Sequence, residues 1–281
     1  MSARQRMLAT ICVLAGVAAA CTNLPSDPNT PFAISFAHAP GPSVVLGDVL
    51  RDSAGVPAKL KAVAYNLRGD TIRDATITYF LVERDSQPAT LADGQITALS
   101  DTAYIGDTLR VVAVAGGVQS TPVRIIVTVR PDSIVRVGTV DTVRFILPVL
   151  DTLPLSAALQ VRLLHRPVGE PARDTVVPAY EVRFRFDSTS SHSPLDTSYV
   201  MISDEQRRFS PLDTTDVTGV AARQVRVRRS KYPYPYDAIP PGKSAVDTVY
   251  VSAMASYKGS PVGGSPVRFR VLVTLAKPPT P

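Results

Sequence analysis

The chain has 281 residues, 45% of them hydrophobic and 19% charged, with 25 prolines, no tryptophan and a formal net charge of +6. That balance supports a packed core and excludes wholesale disorder; acids and bases are interleaved, so a nucleic-acid partner is not implied. The two cysteines, Cys12 and Cys21, both lie near the start. Everything downstream must therefore fold without a disulfide and work without a thiolate nucleophile or a thiolate metal site.

Arg4 and Arg6 head a charge-free apolar run from Met7 to Val17, and Ala18, Ala19 and Ala20 precede Cys21. A basic head, a short apolar run and small residues are the layout of a secretory signal; spanning a bilayer takes about 20 apolar residues. The Ala-Ala-Ala-Cys end resembles the lipobox of bacterial lipoproteins, with Ala18 where that family more often has leucine. The resemblance implies that residues 1–20 are removed and that Cys21 is acylated, with membrane lipid as a partner. It also implies a cell-envelope location. Thr22, in place of the aspartate that retains enterobacterial lipoproteins at the inner membrane, favours the outer one. Without Arg4 and Arg6 the net charge is +6 − 2 = +4. Residues 21–32 contain Pro25, Pro28 and Pro31 among polar residues and read as a tether.

Residues 33–130 read as a first domain. Ala58 to Asn66 alternates Leu60, Ala62 and Ala64 against Lys59, Lys61, Val63 and Tyr65. Ala75 to Leu81 sets Ile77, Tyr79 and Leu81 against Thr76, Thr78 and Phe80. Asp93-Gly94 is a hairpin signal between Ala89–Leu91 and Gln95–Ala98. Thr108 to Ala115 and Val123 to Val129 close the set, with Leu109, Val111, Ala113, Ile125 and Val127 expected inward. Period two throughout, with no amphipathic helix, predicts an antiparallel sandwich. The order of these segments resembles a bacterial immunoglobulin-like domain of the group-two kind, Tyr79 standing where that family usually has tryptophan. A buried tyrosine there needs a partner for its hydroxyl.

Residues 131–276 read as a second domain, followed by a short tail, 277–281. Strands are expected over Ala158–Leu164, Tyr180–Phe186, Ser198–Ile202, Asp247–Tyr257 and Pro266–Leu275. A further strand should place Val225 and Val227 opposite Arg226 and Arg228. Thr215-Asp216-Val217-Thr218-Gly219-Val220-Ala221 matches a turn of the invasin, or group-one, immunoglobulin-like kind, which this half resembles. It departs from that pattern by insertions between Asp187 and Pro211 and around Tyr232 to Lys243. The expected fold is all-β: two tandem immunoglobulin-like antiparallel β-sandwiches.

Arg223, Arg226, Arg228, Arg229 and Lys231 run into Tyr232, Tyr234 and Tyr236, which alternate with prolines. Bases beside aromatics can hold polyanions or stack on sugar rings, so this stretch is the candidate binding surface for a glycan or an envelope protein. The plain alternative is a charged edge strand followed by a stiff proline loop. Nine aspartates precede a threonine, and Asp204, Glu205, Asp213 and Asp216 form the densest acidic cluster. A calcium ladder between domains is one reading of these residues; strand-entry turns fit the pattern better, since no run alternates oxygen ligands. His38, His165 and His192 have no ligand-spaced partners. No metal, cofactor or catalytic residue is assigned. The expected role is non-enzymatic: structural, adhesive or partner display.

Overall fold

A computed structural model describes residues 28–82, 88–139, 141–147, 154–167, 169, 174–190, 200–228, 230, 232 and 236–277. Cys21 and the whole candidate signal lie outside these, as do Arg229, Lys231, Tyr234 and His192. Among the described residues the regular structure is strand throughout, apart from short 3-10 turns.

The first half runs β1 (Ala33–His38), β2 (Ser43–Val45), β3 (Lys61–Tyr65), β4 (Thr78–Leu81), β5 (Ala89–Ala92), β6 (Gln95–Ala98), β7 (Thr108–Ala115), β8 (Val118–Gln119) and β9 (Val123–Thr128). One layer has the order β2-β9-β7-β4, with β8 on β7. Facing it are the β1–β3 pair and the β5–β6 hairpin, stitched together where Leu60 N–H donates to the Gly94 carbonyl at 2.9 Å. Alternation decides the core: Leu109, Val111, Ile125 and Val127 face Leu50, Leu60 and Ile96, all buried. The β5–β6 hairpin turns at Asp93 and Gly94, with φ of 46° and 74°. Two consecutive left-handed residues are what a two-residue hairpin turn requires, and aspartate followed by glycine supplies them cheaply. Tyr79 fills the core position anticipated for it, against Phe36, and its hydroxyl accepts from Ala62 N–H at 3.1 Å.

The second half runs β10 (Ser133–Arg136), β11 (Thr142–Ile146), β12 (Leu159–His165), β13 (Thr175–Val176), β14 (Glu181–Thr189), β15 (Val200–Ser203), β16 (Leu212–Thr214), β17 (Val220–Val227), β18 (Ser244–Met254), β19 (Ser256–Tyr257), β20 (Ser260–Pro261) and β21 (Val267–Ala276). Its two sheets have the orders β10-β12-β17-β15 and β11-β21-β18-β14-β16. Leu159, Val161, Leu163, Val225 and Val227 pack from one sheet onto Val182, Phe184, Val249, Val251, Val271 and Val273 of the other. The Thr215–Ala221 turn is a folding device. Asp216 Oδ1 accepts from Thr218 N–H at 2.8 Å and Val220 N–H at 3.0 Å, and Gly219 takes φ 74°.

Buried apolar residues of the first half run from Ile34 to Val127, and those of the second from Ile134 to Leu275, with Val129 packed against the latter set. Purely antiparallel sheets do not describe either half. β2 pairs parallel with β9, and β11 pairs parallel with β21. An inside–outside alternation reads the same in both chain directions, so the pattern that identifies a strand cannot say which way its neighbour runs.

Candidate functional site

Two cores in one chain raise the question of what fixes one against the other, and the answer centres on Asp48. Gly47, at φ 66°, turns the chain out of β2, and Asp48 follows with only 7% of its surface exposed. Its Oδ1 accepts from Val49 N–H at 2.8 Å and Arg51 Nη2 at 2.9 Å. Its Oδ2 accepts from Arg51 Nε at 2.9 Å and, from the other sandwich, the Tyr257 hydroxyl at 2.8 Å. Lys258 Nζ stands 3.9 Å from the same oxygen and 5.4 Å from the Tyr257 ring, while the Arg51 guanidinium lies 5.9 Å from that ring. One carboxylate thus gathers an arginine of its own sandwich and a phenol and a lysine of the next.

The ionisation of this cluster follows from its surroundings. Burial by itself pushes the Asp48 carboxyl up, but the bonds from Arg51, Tyr257 and the Val49 amide outweigh it and hold the group below the usual carboxylate range. Tyr257 is pushed up to about 12, first by burial and then by its bond to the Asp48 anion. Tyr180, whose hydroxyl donates to the Ser256 carbonyl at 2.7 Å, is raised by burial. At neutral pH the site is a carboxylate, a guanidinium and two neutral phenols.

Three further contacts cross the same boundary. Thr128 Oγ1 donates to the Pro178 carbonyl at 2.8 Å, and Arg183 Nη2 donates to Ser53 Oγ at 2.9 Å. Gly55, at φ 79°, presses its backbone on the Lys258–Gly259 turn so closely that a Cβ there would stand 2.6 Å from Gly259 N. The crevice between Arg51, Ser53, Tyr180 and Tyr257 encloses about 30 Å³, room for about a water molecule rather than an organic substrate.

Five of the eight residues of the basic and aromatic stretch, Arg223, Arg226, Arg228, Tyr232 and Tyr236, are among the described residues, and they go to different surroundings. Tyr232 is a core residue, 6% exposed, its hydroxyl donating to the Val273 carbonyl at 2.8 Å. Arg223 of β17 reaches toward β16, at the edge of the other sheet, bonding the Ser210 carbonyl at 2.9 Å and pairing with Asp213 at 2.7 Å. Burial removes Tyr232 from any contact surface, which corrects that expectation, while alternation along β17 sends Arg223 to the same face as Val225. Arg226 reaches the Arg207 carbonyl and Met201 Sδ, Arg228 is exposed, and Tyr236 packs on the core beneath Lys277.

The carboxylates of the acidic cluster are occupied as well. Asp204 pairs with Arg208 at 2.8 Å, and Asp216 caps its own turn. Among the described residues no three His, Cys, Asp or Glu side chains converge on a point where a metal could sit. His165 Nδ1 lies 2.8 Å from Asp132 Oδ2 beside the connection between the cores. Sequence reasoning missed Asp48, Arg51 and Tyr257, because the aspartate and tyrosine are 209 residues apart and each is unremarkable in its own segment.

No protein-family model matches the chain, and no curated protein matches it in sequence. Among solved structures it is similar to the adhesin InvE of Yersinia pseudotuberculosis, at 14% identity and a TM-score of 0.32, over 86% of this chain and 58% of that one. It is also similar to cadherin-like domains 1 to 4 of zebrafish RET, at 12% identity and a TM-score of 0.32, over 86% of this chain and 48% of that one. Human protocadherin-24 EC1-2 follows at 14% identity and a TM-score of 0.24, over 89% of this chain and 99% of that one. The chain thus spans about half the length of the first two. At TM-scores of this size the fold rests on the strand pairings themselves.

Proposed function

We propose that this chain is a lipid-anchored cell-envelope protein whose two sandwiches work without catalysis, as a spacer that presents a surface at a fixed attitude away from the outer membrane. The observation that supports it is the junction. A buried carboxylate shared by Arg51 and Tyr257 fixes direction as well as contact, because hydrogen bonds to a carboxylate are angularly demanding. A machine that merely tethered two independent modules would have no use for such a clamp; a spacer does. Interfaces between domains of one chain ordinarily leave them free to move.

Two measurements test the reading. Feeding cells a clickable fatty acid should label the wild type and leave Cys21→Ala unlabelled; equal labelling of both removes the anchor. Spin labels at Thr90→Cys and Val217→Cys, both exposed, should give one narrow distance distribution that broadens in Asp48→Ala. A broad distribution in the otherwise unaltered protein removes the spacer.

A further inference from the structure

The geometry points to a second site, on the outer face of the β11-β21-β18-β14 sheet, that binds acidic polysaccharide through Arg268, Tyr250 and Arg185. Alternation puts Phe269, Val271, Val251 and Phe184 inside. It therefore puts Arg144, Arg183, Arg185, Arg268 and Arg270 outside, all exposed, on one sheet face. Glu181, Asp187 and Asp141 are the carboxylates that accompany them, so five positive charges stand against three negative.

Register places these groups in a grid. Arg185 lies opposite Ser252, and Ser252 opposite Arg268. In the next row Ser188 lies opposite Tyr250, and Tyr250 opposite Arg270. With neighbouring strands about 4.8 Å apart, Arg185 and Arg268 stand roughly 10 Å from each other across the serine. The pairing of β14 with β18 slips between Phe186 and Ser188, a bulge whose extra residue is Asp187. The bulge aims Asp187 at the grid, where its Oδ1 accepts from Ser252 Oγ at 3.0 Å and Arg185 Nε at 3.0 Å. A groove of about 580 Å³ lies over these side chains, within the range of small-ligand sites.

The contents of the groove say what fits it. Tyr250, 38% exposed, offers a ring face and a hydroxyl on a rigid central strand. Arg185 and Asp187 neutralise each other and present hydrogen-bonding edges suited to hydroxyls. Arg268 is different: among the described residues it has no carboxylate partner, and its planar fork matches a carboxylate in two places at once. A stacking ring, a neutral polar pair and one unpaired guanidinium together describe the recognition of a sugar ring that carries a carboxylate. The site stands independently of the Cys21 anchor.

Full-length protein in detergent, titrated with polygalacturonate oligomers at about 150 mM salt, tests this by fluorescence polarisation or calorimetry. Expected are measurable binding, no binding of dextran oligomers of equal length, and about tenfold losses for both Arg268→Ala and Tyr250→Ala. Tyr250→Phe should keep the ring and most of the affinity, Arg268→Lys should recover only part of it, and Arg144→Ala, outside the groove on the same face, should change nothing. No polygalacturonate binding overturns the site. So does an equal loss in Arg144→Ala, or equal binding of single-stranded DNA, because either marks diffuse charge attraction instead of a built groove.

Discussion

The junction makes its sharpest commitment in a double-mutant cycle on Asp48 and Tyr257. Tyr257→Phe keeps the ring, and with it the contacts to Arg51 and Lys258, and removes a single hydroxyl bond of 2.8 Å to an anion. Bonds to charged groups contribute about 1.5–3 kcal/mol, and three other donors remain on Asp48, so the lower end, about 1.5 kcal/mol, is expected. Asp48→Ala removes four donors' acceptor and leaves Arg51, whose side chain is 17% exposed, without its anion. Breaking a buried pair by deleting one partner costs about 3–5 kcal/mol, and the partial exposure of Arg51 brings this toward 3. In Asp48→Ala the tyrosine hydroxyl has no anion to meet, so adding Tyr257→Phe should then cost almost nothing. The coupling energy, read from calorimetric unfolding of all four proteins, should be about 1.5 kcal/mol. Effects that add within about 0.5 kcal/mol would refute the shared carboxylate as the clamp.

The same cluster gives a pH signature at both ends of the scale. Asp48 is depressed in the folded state, so its contribution is present above the ordinary value of 3.8 and is lost as pH falls through the lower folded value. Tyr257 is raised from 10.0 to about 12, so the folded state holds the proton longer; that contribution is present below 10.0 and lost between 10.0 and about 12, a decline that Tyr257→Phe should lessen in melts taken across this window. Gly55→Ala should loosen the junction by about 2 kcal/mol, since a left-handed alanine costs about 1–2 kcal/mol and its Cβ would stand 2.6 Å from Gly259 N. An unbroadened label distance in that variant would contradict the close approach. Tyr232→Phe should lower the melting temperature of the second sandwich through loss of about 1 kcal/mol while leaving polygalacturonate affinity unchanged; lost affinity would return this tyrosine to the binding surface. Phe184→Ala, emptying a side chain that is 1% exposed, should cost about 3–5 kcal/mol by the same melts.

How much of this was legible beforehand depends on the range over which each feature is decided. The run Val267, Phe269, Val271, Val273 and Leu275 announced a strand and its inner face, and both are as read. Asp93-Gly94 announced a hairpin, because the φ values that such a turn needs belong to the two residues themselves. Tyr79 announced both its core position and its need for a partner, though not that the partner would be the Ala62 amide. The short strands β1, β2 and β11 were invisible as pairing partners, since three to six residues carry little periodicity of their own. The arginines from Arg223 onward illustrate the limit from the other side: composition marked them as unusual, but only folding shows that Arg223 closes on Asp213.

Alternation, turn residues and the lack of downstream cysteines are properties of neighbours along the chain, and they sufficed to determine strands, inner faces and a fold of packed sheets. The direction in which β2 and β11 pair, the meeting of Asp48 with Tyr257, and the rows of arginine, serine and tyrosine on the outer sheet are relations between distant segments. Those were decided by tertiary structure, because a hydrogen bond across some 200 residues leaves no pattern in the residues that flank either end of it.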